Sequence, residues 1–416
     1  MLKNITRTLS LSLLVVNSVS ANDAPSNKQQ LTPQLTDQML NKFGAGFTSL
    51  EHKNIGDLVR LHLTAQSSGE VIQLSLPNGL KLSYGDIVML AGDVFGNPYK
   101  TISSCPEQKR LECFKAQFSS MAIQGNEQDK RCENPHTQVK AIKAYLSEIE
   151  NEIKKSRAKG VQDWVYYSKH DVDISKKMNK LTCGGSFISS FFPFGGYIKL
   201  AQENFDHFAP DSLVAYKAGH QYALETAREG YKKEKIGLHE EAQKLLELAY
   251  AQNAFANHYL TDSFSAGHMR TPRREINRQI SLPSVLNLLI ANLMHNEDNR
   301  NGLNVVNAEG SSWFAYGDGY LYKPEAQLQK TIMLDAMQRS ADAIYSVYLT
   351  GAIPGVFSEM ALFPDYEKIP QLNDSSPLFK VENGVLLKRV NHDNYHDTNW
   401  TRYWSGLYTL IRFTVK

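Results

Sequence analysis

What this chain lacks narrows it first. Its net charge is only +2, with 45 basic and 43 acidic side chains among 416 residues. So even a balance excludes a broad basic face, and no nucleic-acid partner is expected. There are four cysteines, Cys105, Cys113, Cys132 and Cys183, and no Cys-x-x-Cys pair, which argues against a thiolate zinc site. Four cysteines allow three pairings; the spacing favours Cys105 with Cys113 as a short loop and Cys132 with Cys183 as a longer closure. Beyond the first 21 residues no apolar run approaches the ~20 needed to span a bilayer. The run from Ser284 to Met294 has only the length of a core helix, so no integral membrane segment is expected. There is no internal repeat and no low-complexity tract.

The chain does open with an export signature. Lys3 and Arg7 precede a short apolar stretch, Leu9 to Val16, and Val19-Ser20-Ala21 offers a small-residue cleavage pattern. Residues 1–21 therefore read as a signal peptide, and the mature chain is expected to start at Asn22. The product would be secreted, with a periplasm in transit, where disulfides persist.

The remainder reads as mainly α. Helices are expected over 35–60, 87–96, 137–158, 211–233, 239–265, 276–295 and 327–349, with an Asn-Gly hairpin around residues 70–86. Residues 97–136 read as irregular, inside a disulfide-tied insertion spanning about 97–200. From 355 the pattern changes: Asn383-Gly384 sits between apolar runs, and alternating aromatics follow. The division is a helical domain over 22–354 and a β-rich extension over 355–416.

The richest chemistry lies in "NHYLTDSFSAGH", which holds His258, Asp262 and His268. Four residues separate His258 from Asp262, so on a helix both lie on one face. Imidazole and carboxylate are the donors that zinc accepts in tetrahedral sites. The small apolar residues around them make burial without a partner costly, and a cation relieves that cost. "HDNYHD" (His392, Asp393, His396, Asp397) offers the same donor types, but in an Asn- and Asp-rich turn. Arg270, Arg273 and Arg274 beside His268 could hold a phosphate or form a solvated basic turn.

The pattern H-x3-D-x5-H resembles the signature of zinc-dependent bacterial phospholipases C and related single-strand nucleases. Further segments are similar in order: "SLEHKNIGDLV" with His52, "AGDVFGNPY" with Asp93, "NFDHFAPDS" with His207, and His295 with Asp298. The resemblance implies a helical-bundle fold with a β hairpin and a site of two or three Zn2+. It implies that His52, Asp93, His207, His258, Asp262, His268, His295 and Asp298 ligate, with Asp93 doubling as a base. It implies a monomer that hydrolyses the glycerol-side phosphodiester of phospholipid at a membrane surface, with phosphatidylcholine the expected substrate, giving diacylglycerol and phosphocholine. Two departures stand out. The position one turn after His295 is Asn299 rather than a carboxylate, and no Trp lies near Asn22 to supply the family's N-terminal ligand. A nuclease of the same superfamily and a non-catalytic zinc-binding protein are the alternatives.

Overall fold

The computed structural model describes residues 50–63, 71–185, 194–280 and 284–414. The signal sequence and most of the helix expected over 35–60 lie outside these residues. The described chain is mainly helical, with three small antiparallel sheets.

In chain order the elements begin with α1 (Leu50–Gly56), the hairpin β1 (Gln73–Ser75) and β2 (Lys81–Ser83), and α2 (Tyr84–Leu90). The hairpin turns at Gly79, whose φ of +89° is one that glycine adopts without strain. Ser83 then caps α2 in a capping box with Asp86. Next come α3 (Arg110–Ala122), α4 (Pro135–Arg157), α5 (Asp163–Leu181) and α6 (Gly196–Gln202). The helix α3 overturns the expectation of irregular chain over 97–136. Cys113, Phe114, Gln117, Phe118 and Met121 share one buried face, a helical pattern that polar neighbours mask. The disulfides are Cys105–Cys113 and Cys132–Cys183, the favoured pairing.

The long antiparallel pair α7 (Asp211–Lys235) and α8 (His239–Asp262) forms the spine. From Ala249 to Asp262 every residue of α8 is buried, including both motif residues. Alanines at 249, 251, 254 and 256 let other helices come close on all sides. Gly219 on α7 shows how close: a Cβ there would lie 2.6 Å from the Ala256 Cβ and 2.4 Å from the Phe114 ring. Then follow α9 (Ala266–Arg270), α10 (Arg273–Gln279), α11 (Ser284–Asn301), β3 (Leu303–Val306), β4 (Ser312–Ala315) and α12 (Gln327–Thr350). Together with α13 (Ile369–Leu372) these build the main core.

Residues just past 355 belong to that core and not to a separate tail. Leu362, Phe363 and Ile369 pack into it, and the buried Glu359 accepts a 2.6 Å hydrogen bond from the Tyr216 hydroxyl of α7. A second, smaller core forms further on. It holds β5 (Phe379–Glu382), β6 (Val385–Arg389), β7 (Trp400–Thr401) and α14 (Gly406–Thr414) against α11. Leu378, Phe379, Leu386, Trp404 and Leu410 meet Leu289, Ile290 and Met294 there. The turn between β5 and β6 places Asn383 and Gly384 at φ of +52° and +75°, as the Asn-Gly pair allows. The closing aromatic stretch, read as alternating, instead continues into the helix α14.

Candidate metal centre

Helix α8 presents His258 and Asp262 to one point, and four other segments converge on it. His52 comes from α1, Asp93 from the turn after α2, His207 from the turn before α7, and His268 from α9. The Asp262 Oδ2 lies 2.8 Å from His207 Nδ1 and 3.3 Å from His258 Nε2, and its Oδ1 lies 3.7 Å from His52 Nε2. His258 Nε2 and His207 Nδ1 stand 3.1 Å apart, with Asp93 Oδ1 at 4.0 Å from the latter. Asp93, His207 and His258 form one compact group able to hold a cation.

The second group was only partly visible in the sequence. It comprises His268, His295 of α11, and Asp318, which lies in the loop after β4. Asp318 Oδ2 is 2.9 Å from His268 Nε2 and 3.2 Å from His295 Nε2, and the two ring nitrogens are 3.1 Å apart. The motif run is therefore divided: His258 belongs to one group, His268 to the other, and Asp262 sits between the imidazoles of both.

Asp298 does not join either group. Its carboxylate accepts from Arg270 Nε at 2.8 Å and Nη2 at 2.7 Å, and from the Tyr395 hydroxyl at 3.1 Å. Its i+3 offset from His295 turns it toward the second core. Asn299, at i+4, faces the site but carries no charge. Its side-chain oxygen accepts from the Gly267 N–H at 2.6 Å and so fixes the backbone that leads into His268. Asp318 delivers the carboxylate from elsewhere in the chain. Its signal in the sequence is slight: an Asp between Gly317 and Gly319, fifty positions from His268, with no periodic relation to any ligand. Glu51, beside His52, pins this loop by accepting from the N–H of Gly319 at 2.9 Å and of Leu321 at 3.1 Å.

The side chains fit a cation in their hydrogen bonding. His258 Nδ1 donates to the Val88 carbonyl, His268 Nδ1 to the His207 carbonyl, His52 Nδ1 to the Thr261 hydroxyl, and His295 Nδ1 to the Asn296 side chain. The tautomers follow from these partners. The Nε2 of each of these rings is turned inward; that of His268 meets Asp318 at 2.9 Å and that of His295 the Asn299 amide at 3.1 Å, and a cation would take the place of such partners. Asp262 Oδ2 is buried, yet no neighbour gives it a well-aligned hydrogen bond. Gly92 makes the approach possible: a Cβ there would sit 2.8 Å from both His207 and His258.

Electrostatics agree. Burial drives His258 down to about 3, so that ring is neutral and able to donate its lone pair. Burial also opposes charge on His268, but the carboxylates of Asp262 and Asp318 outweigh it and raise it to about 9. Burial raises Asp93 to about 6, with His207 opposing and the Asp262 charge adding. Burial and the Asp318 charge push Glu51 well above the usual carboxylate range. With the protein side chains alone, Asp262 and Asp318 favour a proton on His268, and Asp262 and Asp93 raise His207 as well despite its burial.

A prediction follows from that proton. A cation binding between His268, His295 and Asp318 must displace it, so uptake at pH 7 is expected to release protons. Apparent affinity should climb about tenfold per pH unit until pH reaches about 9. Calorimetry in buffers of different ionisation enthalpy measures the release; ion uptake without it would contradict the assigned charge. In chelator the sign is reversed for stability. A His raised from 6.5 to about 9 stabilises fully below 6.5, and that contribution fades as pH rises through 9.

The cluster lines a cleft that opens to solvent. Leu288, Ala291 and Asn292, one face of α11, form the opposite wall with Phe208. Arg273 also reaches this wall. It is buried and held by the Asn204 and Asn287 side chains and by the carbonyls of Ala201 and Gln202, with no carboxylate in contact among the described residues. Arg270 is committed to Asp298 and Arg274 to Asp211. The "HDNYHD" residues form no group able to hold a cation among the described residues; His392 faces Asp393 at 3.2 Å, and Asp397 accepts from the backbone of Asn391 and Asn399. The cysteines at 132 and 183 are joined to each other, which removes their thiolates as ligands.

No protein-family model, no curated protein and no solved structure matches this chain.

Proposed function

We propose that the chain is a metal-dependent phosphodiesterase, that its cations are zinc, and that it acts as a phospholipase C on the glycerol side of a phospholipid phosphodiester. One observation carries the reading. Two adjoining sets of His and Asp, Asp93 with His207 and His258 and Asp318 with His268 and His295, converge beside an open cleft that Leu288, Ala291, Phe208 and Arg273 also line. The all-nitrogen-and-oxygen donor set, rich in imidazole, suits zinc among the common divalent ions. The helical architecture and the order of the ligating segments are compatible with the resemblance seen in the sequence.

Bound zinc would supply a hydroxide nucleophile near neutral pH and charge to offset that growing on the phosphate. The protein's part is placement. His207, His258 and Asp93, with His52 and Asp262 beside them, would hold the first cation, and His268, His295 and Asp318 the second. Asp93, which faces the cleft and sits at about 6, is suited to take a proton from water at neutral pH. The Arg273 guanidinium favours the phosphate end of a substrate over a cationic end. Leu288 and Ala291 offer apolar surface to the start of an acyl chain.

The test is release of phosphocholine from phosphatidylcholine micelles by the purified protein, repeated after chelation and after zinc is restored. Turnover that chelator leaves intact overturns the metal mechanism. Hydrolysis of single-stranded DNA or RNA instead of lipid would assign the same chemistry to a nuclease. Bound zinc with no turnover on any phosphodiester would leave a structural metal centre.

A further inference from the structure

The second core contains a pocket unrelated to the metal cleft. It has a volume of about 140 Å³ and lies between β6, β7 and α14. Lys388 and Arg412 both line it. Lys388 is only 9% exposed, and its Nζ makes a single hydrogen bond, to the Arg389 carbonyl at 3.1 Å. An ammonium has three donors, so two remain. Neither Lys388 nor Arg412 has a carboxylate within ion-pair distance among the described residues. Arg389, the third cation nearby, is already neutralised by Glu297 at 2.6 Å. Burial, and the charges of Arg412 and Arg389, lower the Lys388 amine to about 8, which still leaves it charged at neutral pH.

A buried cation beside a second cation is costly unless an anion joins them. The mouth of the pocket says which anion. Tyr403, Tyr408 and Val390 stand at 66%, 60% and 50% exposure beside it. Arg402 lies over the Tyr403 ring and Arg412 over the Tyr408 ring. Exposed tyrosines with arginines alongside match the boundary between water and acyl chains, where a ring is half wet and half apolar. A soluble phosphate would gain nothing from such a rim.

We propose that this pocket binds the phosphate of an anionic phospholipid, with Tyr403, Tyr408 and Val390 seated in the bilayer interface. Lys388 and Arg412 hold the phosphate oxygens, and the rim supplies apolar contact. The site is a docking site and does not depend on the reading of the metal centre.

Co-sedimentation of the full mature chain with vesicles tests it, in chelator so that no lipid is turned over. Binding is expected to vesicles of phosphatidylcholine mixed with phosphatidylglycerol, and to be far weaker for phosphatidylcholine alone. Lys388→Met and Arg412→Gln should each weaken it about fivefold, the scale of one basic residue at an anionic surface. Tyr408→Ala should weaken it as well. Arg412 is exposed, so its variant keeps the test valid even where Lys388→Met unfolds, which circular dichroism reports. Equal binding to both vesicles, or wild-type binding by Arg412→Gln, overturns the proposal. So does capture of free glycerol 3-phosphate by a protein that binds neither vesicle.

Discussion

Asp262→Asn is expected to abolish ion binding at the first group, weaken it at the second, and cut phosphodiester hydrolysis by a thousandfold or more. The side chain keeps its shape, so the change is one of charge. Asp262 is buried, yet His258, His268 and His207 hold its carboxyl well below the usual range. Removing that charge leaves several inward-facing imidazoles with less negative potential to attract a cation. Losing an outer partner of a metal ligand costs about 10–100-fold in affinity; losing the shared carboxylate itself should cost more. On the rate, removing a single group that steadies developing charge costs about 10²–10³, and here the steadying cation goes as well. Elemental analysis of the dialysed variant, paired with turnover, measures both. A variant that keeps a full complement of ions and wild-type turnover would remove Asp262 from the site.

Asp298→Asn separates two roles for that residue. As the partner of Arg270, its loss leaves a guanidinium almost buried, with the Ser375 and Tyr395 oxygens for company. Stranding one member of a buried pair costs about 3–5 kcal/mol. We expect a loss near about 3 kcal/mol, because the Arg270 side chain keeps 12% exposure. Urea unfolding in excess chelator is the decisive form of the experiment. A partner of Arg270 loses stability there, with or without ions. A metal ligand would show no loss until ions were restored. Since Arg270 follows His268 by two residues, and Asp298 follows His295 by three, the variant should also loosen the second group.

The same pair shows where sequence reading ran out. His258, Asp262 and His268 were legible because one helix and the short helix that follows it bring them together within eleven residues. His52, Asp93 and His207 needed the resemblance, since nothing local ties three distant segments to one point. Asp298 was chosen over its neighbours because i+3 is a permitted spacing on a helix. Two packed cores compete for α11, and the Arg270 charge drew Asp298 to the other one. Asp318 was missed because a loop can bring a carboxylate from any distance, and a Gly-Asp-Gly turn has many ordinary uses. The fold followed the same division. Most of the long helices and both Asn-Gly turns declared themselves, whereas α3 and the 19-residue α5 hid beneath polar residues. The final helix α14 was mistaken for strand because aromatics alternate there by chance.

One consequence follows from how widely the inward-facing groups are scattered. They stretch from His52 to Asp318, and the loop bearing the last is held by Glu51, next to the first. A complete first group needs the chain from His52 to Asp262, and the second group with its support needs it from Glu51 to Leu321. At the proposed second group, affinity for an ion would therefore require that the two ends of the main domain have met. A polypeptide threaded through a membrane in extended form would arrive without its metal and acquire it on the far side. Ion uptake by the proposed centre would then report that folding is finished, and the free energy of binding would guard that endpoint.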